Sequence, residues 1–305
     1  MENIYDLIII GGGPAGLTAG IYAKRYGMST LIVEKYYLGG QMAVTTEVEN
    51  YPSYIHISGG ELSEKMKEHY LSYKGEILTG NVTKIDFEQK MIYVKNKKVE
   101  FKSLIIATGV VPRKLNLEKE EELTGHGISY CAVCDGYFFK NKNVVVVGSG
   151  NSALEDAVYL ADLCKSVTIV SKHKEFVGQD IFIQELKSKS NITYYMGYTP
   201  SKILGETEFS GVEITKQSGE EKVEITADGM FIQIGRAPDS LLVKGKLDLH
   251  PAGFIKANDN METSVEGIFV AGDIREKNLR QIITACSDGA IAANSAHKYL
   301  ESLKK

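Results

Sequence analysis

Leu7-Ile8-Ile9-Ile10-Gly11-Gly12-Gly13-Pro14-Ala15-Gly16 is the stretch that decides the fold. A short aliphatic run ending in glycines reads as a buried strand, the Ala-rich stretch through Arg25 as a helix, and Thr30 to Val33 as a second strand. Together they make a βαβ unit. Each glycine has a backbone reason: Gly11 makes the tight turn, Gly13 lets a pyrophosphate approach the main chain, and Gly16 lets the helix lie close on the strand. The helix N-terminus, at Pro14 and Ala15, then faces the phosphates with its positive end. Glu34 follows Gly11 by 23 residues and ends the second strand, where an acid accepts hydrogen bonds from an adenosine ribose. A lone glycine pattern carries little weight, but here strand, glycines, helix, strand and acid stand in register.

The pattern returns as Val144-Val145-Val146-Val147 followed by Gly148-Ser149-Gly150-Asn151-Ser152-Ala153 and a helix to about Cys164. The next strand, Val167 to Val170, ends at Ser171, again 23 residues after the first glycine, so Ser171 holds the position that Glu34 holds in the first unit. No acid sits there. Lys172, His173 and Lys174 are adjacent, a basic run that reads either as tolerance of a 2′-phosphate or as a solvated turn. Beyond the second unit, Gly267-Ile268-Phe269-Val270-Ala271-Gly272-Asp273 reads as a buried strand ending in an acid able to hold a flavin's ribitol, or as a plain strand and turn. The fold expected is α/β, with two Rossmann-like, three-layer dinucleotide-binding domains, the second inserted into the first. Linkers are expected at Val110 to Asn116 and around Lys244 to Pro251.

With 305 residues, 43% apolar and 24% charged, the chain can bury the cores of two ordinary domains. A net charge of -4 lacks the basic excess that nucleic acid or an anionic membrane surface would require. Met1-Glu2-Asn3-Ile4-Tyr5-Asp6 carries acid where a secretory signal needs basic residues, and no stretch is long enough to span a bilayer. Of four cysteines only Cys131 and Cys134 are close together, which is not the pattern of a disulfide-stapled secreted scaffold. A cytoplasmic location is expected.

Cys131-Ala132-Val133-Cys134-Asp135-Gly136 is the one reactive constellation. Two intervening residues let an intrachain disulfide open and close with little movement. A structural zinc site needs four ligands, and neither a second CxxC nor a paired His cluster accompanies this one, so no metal is expected. Asp135 can supply or remove a proton for thiol chemistry, or simply form an Asp-Gly turn. Cys164 and Cys286 read as core residues.

With these residues in place, the chain resembles the low-molecular-weight thioredoxin reductases from end to end. The resemblance rests also on Gly39-Gly40-Gln41, on Thr46-Glu47-Val48-Glu49-Asn50-Tyr51-Pro52, on Ala107-Thr108-Gly109, on Ala271-Gly272-Asp273, and on Arg280-Gln281 before Ala285. It implies an FAD-binding domain of residues 1–113 and 246–305 and an inserted domain of 114–245 carrying the cysteine pair. It implies that Gly40, Gln41, Asn50, Ala107, Thr108, Gly109, Gly272, Asp273, Arg280 and Gln281 join the first glycine turn around FAD. It further implies a homodimer in which Cys134 meets the flavin, Cys131 attacks the disulfide of thioredoxin, and Asp135 is the acid. A swing between domains would be needed for one pair to visit both.

One stretch departs from the family. Its members grip the 2′-phosphate of NADPH with a His-Arg-Arg cluster followed four residues later by Arg, whereas the matching run here is Ser171-Lys172-His173-Lys174-Glu175-Phe176-Val177. Arginine's planar fork binds phosphate bidentately and lysine does not. The departure disfavours NADPH and turns the expectation toward reduced ferredoxin, as in the family's ferredoxin-dependent branch. Gly148, Gly150, Ala153, Lys172 and Lys174 then mark a vestigial nucleotide site. The alternatives are an ordinary NADPH-dependent reductase, an NADH-dependent reductase of another redox protein, and a flavin-bound sensor without turnover, against which the cysteine pair argues.

Overall fold

A computed structural model describes residues 4–45, 47–219 and 221–305 of the chain; the readings that rest on Met1, Glu2, Asn3 and Thr46 lie outside the described residues. The chain forms two compact units, one of Met1–Val111 with Ala237–Lys305, the other of Pro112–Arg236.

In the first unit β1 (Tyr5–Ile10) leads into α1 (Pro14–Arg25) and β2 (Thr30–Glu34), followed by α2 (Gly59–Ser72) and β3 (Glu76–Thr79). Strands β4 (Val82–Asp86), β5 (Met91–Val94) and β6 (Lys97–Ile106) then form an antiparallel meander, and β7 (Val110–Pro112) leaves the unit. The long β6 has two uses. Its first half pairs with β5, while its second half pairs in parallel with β1, through Ile10 and Ile106. Side chains alternate across a strand. Leu7 and Ile9 therefore enter one apolar cluster, with Leu17, Ala19 and Ala296, while Ile8 and Ile10 enter another, with Ile85 and Ile92. Burial on both faces is why an unbroken aliphatic run, rather than an alternating one, forms this strand.

The second unit repeats the plan. It contains β8 (Ile128–Ser129), the short α3 (Ala132–Asp135), β9 (Asn143–Val147), α4 (Asn151–Leu163), β10 (Ser166–Ser171), α5 (Asp180–Ser188) and β11 (Ile192–Met196). A meander of β12 (Tyr198–Gly205), β13 (Phe209–Lys216) and β14 (Lys222–Thr226) follows, then β15 (Gly229–Ile232). The parallel sheet has the order β11-β10-β9-β15-β8. Val144 and Val146 point to one face, Val145 and Val147 to the other.

The chain returns through β16 (Arg236–Pro238), adds β17 (Ile268–Val270) alongside β6, and ends in α6 (Ile282–Ser302). Helices α1 and α6 approach closely through small residues: a Cβ on Gly289 would lie 2.2 Å from the Ala15 carbonyl oxygen. The linker expectations need correction. Residues 110–112 form β7, which pairs with β16, so the expected loop begins as a strand. The stretch from Lys244 to Pro251 lies inside the first unit, because Val243 and Leu247 are buried with Ile255 in its core; the return crossing falls at Arg236/Ala237 rather than near 246. Among the described residues no helix is long and apolar enough to cross a membrane.

Candidate active site

Strands β1, β2, β6 and β17 run parallel, so Gly11, the end of Glu34, Ala107 and Ala271 all emerge at one edge of the sheet. That edge is where a doubly wound sheet binds ligands. Gly11 has φ +107° and donates its N–H to Val33 O, and a Cβ on it would stand 2.2 Å from Ala107 O. Gly16 is as constrained, since its Cβ would meet Gly11 O at 1.9 Å. Gly13 is the opposite case: the nearest atom to a Cβ there is Gly39 O, 3.9 Å away. It is the N-cap of α1, no side chain caps the helix, and Pro14 stands in its first turn. Uncapped N–H groups beside open space suit an anionic ligand.

The rim of this turn is tied by Glu34. Its Oε2 accepts from the Gly12 N–H at 2.7 Å and its Oε1 from the Tyr36 N–H at 2.9 Å. Gly39 donates to Gly12 O at 2.8 Å, and the following Gly40, at φ +55°, comes close to Gly13. Gln41 Nε2 donates to Val110 O, Thr108 Oγ1 to Asp239 O, and Gly109 takes φ +68°. Gly272, at φ +81°, approaches Ala15 so closely that its Cβ would stand 2.8 Å from the Ala15 Cβ. Asn50 Nδ2 donates to Gln281 Oε1 at 3.1 Å, and the Arg280 guanidinium lies over the Phe254 ring at 3.9 Å. Asp273 carries Lys277 Nζ 3.8 Å from its Oδ1. All the residues expected around a flavin dinucleotide thus belong to the first unit, and the open Gly13, the uncapped α1 and the acid at Glu34 fit that group.

In the second unit Cys131 and Cys134 form a disulfide with their Cα atoms 5.3 Å apart. Cys131 caps α3, and its Sγ accepts from the Cys134 N–H at 3.2 Å. Cys134 is exposed and Cys131 half-buried. Asp135 Oδ2 accepts from Ser129 Oγ at 2.6 Å, and the same Ser129 oxygen accepts from the Cys131 N–H at 3.0 Å. Asp135 is therefore held beside the pair rather than merely turning the chain. Burial pushes the Cys164 thiol up to about 11 and raises that of Cys286, so neither carries much thiolate at neutral pH.

The second glycine turn keeps its backbone and changes its rim. Gly148 has φ +144°, its Cβ would lie 2.2 Å from Gln233 O, and Ala153 is fully buried against it. Gly150 caps α4 with nothing within 4 Å of a Cβ. Ser171 is buried and its Oγ accepts from the His173 N–H, while Lys172 and Lys174 are exposed. The Val177 N–H donates to Ser149 O, and the Gln179 N–H to Asn151 Oδ1.

Sequence reasoning missed three supports. Ser129 stands two residues before the first cysteine. Asp156 is an acid on the helix face that buries Ala153, Ala157 and Leu160. Asp288, buried on α6, accepts from the Gly272 N–H, Arg275 and Lys277 and so braces the turn before Asp273. Polar residues on apolar helix faces are the signal that would have found the last two. The nearest approach to a metal-ligating set among the described residues, Glu47, Glu49 and His56, is wholly exposed.

Two nested dinucleotide folds, the inner one carrying a closed disulfide on its surface, are the architecture of a flavoprotein disulfide oxidoreductase. The profile of the family described as "Pyridine nucleotide-disulphide oxidoreductase" matches residues 5–289. A thioredoxin reductase of Bacillus subtilis (strain 168) is 43% identical over 307 residues, covering 100% of this chain and 97% of that protein. Among solved structures, thioredoxin reductase of Lactococcus lactis in its FR conformation gives a TM-score of 0.90 at 40% identity, over 98% of this chain and 99% of that one. A ferredoxin-flavin thioredoxin reductase from Clostridium acetobutylicum gives 0.55 at 30% identity, over 98% and 99%. The chain belongs to the pyridine nucleotide-disulphide oxidoreductases and, within them, to the low-molecular-weight thioredoxin reductases.

Proposed function

We propose that this enzyme delivers electron pairs through FAD to the Cys131–Cys134 disulfide and on to the disulfide of a thioredoxin, working in the cytoplasm as a homodimer. The observation that carries the reading is the disulfide at the head of α3, with Asp135 anchored by Ser129 beside it. FAD would be held by Gly11, Gly13, Pro14, Ala15 and Gly16, by Glu34, and by Gly40, Gln41, Asn50, Ala107, Thr108, Gly109, Gly272, Asp273, Arg280 and Gln281. When bound it supplies the two electrons that reopen the disulfide.

The protein's own groups then do sulfur chemistry. The Cys131 thiolate attacks one sulfur of the partner's disulfide, forming a mixed disulfide and releasing one partner thiolate, which takes a proton. The Cys134 thiolate next attacks the Cys131 sulfur, expels the second partner thiolate to be protonated in turn, and restores the starting disulfide. The Cys134 N–H, which already points at the Cys131 sulfur, favours the thiolate there. Asp135 exchanges the protons that both thiols and partner require.

For the donor the reading favoured is reduced ferredoxin, two molecules of which supply one electron each per disulfide. It is supported by Ser171, which stands where the family has histidine, by the absence of paired arginines at Lys172 and His173, and by the exposed apolar Val177 where the family has arginine. Each charge-assisted contact forgone is worth roughly 1.5–3 kcal/mol, so NADPH binding would weaken by orders of magnitude. NADPH is the second reading, favoured by the intact turn at Gly148 and the open Gly150. Anaerobic mixing with NADPH, NADH or reduced ferredoxin, following flavin bleaching and then thioredoxin thiols, separates them. Bleaching by ferredoxin alone is expected, and rapid bleaching by micromolar NADPH would restore the ordinary assignment. In the same assay Cys131→Ser and Cys134→Ser should abolish thioredoxin reduction while the flavin spectrum persists; turnover retained in both would refute the mechanism.

A further inference from the structure

The segment that carries Cys131 is tied down on both sides by residues outside the redox motif. On its N-terminal side, Tyr130 O accepts from Gln233 Nε2 at 3.1 Å, and the Tyr130 hydroxyl donates to the buried Glu120 at 2.7 Å. On its C-terminal side, the Ala132 N–H faces the carboxylate of Asp156 on α4. The two ties are joined, because Gln233 Nε2 also donates to Asp156 Oδ2 at 2.5 Å. Gln233 follows β15 directly, donates its own N–H to Val147 O, and has its carbonyl packed where a Cβ on Gly148 would stand. One side chain just past β15 and one on α4 therefore brace the backbone on either side of Cys131 against the floor of the inner glycine turn.

We propose that Asp156, acting through Gln233 and the Ala132 N–H, is a positioning residue for the redox pair, setting the reactivity of Cys131 according to its own protonation. The inference deepens the reading above and rests on it. Burial raises the Asp156 carboxyl to about 6, against the lowering effect of the Ala132 and Gln233 hydrogen bonds; Glu155, next to it on α4, raises it further and Arg236 lowers it. A carboxyl raised in the fold is protonated first as pH falls, so Asp156 is ionised above about 6 and neutral below. Ionised, it is a full acceptor for both donors. Neutral, it must donate as well as accept, and the clamp loosens. Asp135 is held separately by Ser129, so the two acids act on the pair from different anchors.

The test uses the FAD-loaded enzyme, reduced with excess dithiothreitol that is then removed, and measures the rate of Cys131 and Cys134 alkylation by iodoacetamide from pH 5 to 9. The wild type should show an inflection near pH 6, separate from the thiols' own ionisation. Asp156→Asn, which keeps an acceptor for the Ala132 N–H but cannot titrate, should lose that inflection while flavin content stays unchanged. Gln233→Ala removes the other donor and should move the inflection upward by about one pH unit, the size of one lost charge-assisted hydrogen bond. A wild-type profile without the inflection, an Asp156→Asn profile that keeps it, or an inflection unmoved in Gln233→Ala overturns the proposal; if Asp156→Asn fails to fold, the Gln233→Ala arm decides alone. Failure of the parent reading looks different: the alkylation profiles would then differ among the variants as expected, but the reduced pair would never pass thiols to thioredoxin.

Discussion

The turn from Gly11 to Gly16 and the turn from Gly148 to Ala153 are the same device built twice. Each opens on a positive-φ glycine whose missing Cβ makes room for a carbonyl oxygen, Ala107 O in one and Gln233 O in the other, at 2.2 Å from where the Cβ would be. Each then places an open glycine at an uncapped helix N-terminus. They part at the rim. Glu34 ties the outer turn through two backbone N–H groups, whereas Ser171 turns inward on His173 and leaves the inner rim without an acid. The lesson is that backbone demands, which fix the fold, are kept in both units, while the side chains that choose a ligand are free to differ.

The harshest way to probe the shared backbone is to add a methyl at its tightest point. Gly11→Ala and Gly148→Ala each force a non-glycine residue to positive φ, at about 1–3 kcal/mol, and press a Cβ into a carbonyl, at a further 1–3 kcal/mol or so. Thermal melting should fall by several degrees in both. Only Gly11→Ala should also lose flavin. If Gly148→Ala melted like the parent, the inner turn would have relaxed away from the dinucleotide pattern and the likeness would be superficial.

Much of this was legible in the residues themselves because it is local. Strand, glycine turn, helix and terminal acid succeed one another within the 28 residues from Leu7 to Glu34, so Ile10, Gly11, Gly16 and Glu34 could be placed from periodicity and backbone chemistry alone. The cysteine pair is legible for the same reason. What could not be read depends on pairs far apart in sequence. The return crossing at Arg236 is set by β16 pairing with β7, more than a hundred residues earlier, and nothing in Lys244 to Pro251 betrays that Leu247 is buried. Asp156, Gln233 and Ala132 meet only because α4 and β15 pack beside the redox loop. Helical spacing marks Asp156 as an acid facing the core, but not its partners.

A milder comparison sets the two rims against each other. Glu34→Ala leaves the Gly12 and Tyr36 N–H groups without their charged acceptor, a loss of roughly 1.5–3 kcal/mol per bond, and flavin should dissociate at least tenfold more readily on dilution or dialysis. Ser171→Ala removes one neutral acceptor and should cost about 0.5–1.5 kcal/mol, with flavin content untouched. Equal flavin retention in the two variants would mean that Glu34 braces its loop without serving the ligand.

The smallest structural change asks the sharpest question. Gly13 and Gly150 both have room for a methyl, with Gly39 O at 3.9 Å in the first case and nothing within 4 Å in the second, and both have ordinary negative φ. Alanine at either N-cap should therefore fold, with a stability cost under about 1 kcal/mol. Yet each methyl occupies the approach that a pyrophosphate needs. Gly13→Ala should weaken flavin binding tenfold or more, about 1.4 kcal/mol in affinity. Gly150→Ala then reports the donor without any change in the rest of the molecule. With reduced ferredoxin driving turnover the inner turn holds no nucleotide, and steady-state thioredoxin reduction should match the parent within twofold. Were NADPH the donor, the same methyl would raise its KM severalfold and leave kcat nearly alone, because it obstructs binding and touches no reacting sulfur. A KM effect of that kind would restore to the inner turn the role its backbone preserves, and the difference between the two turns would shrink to one of affinity.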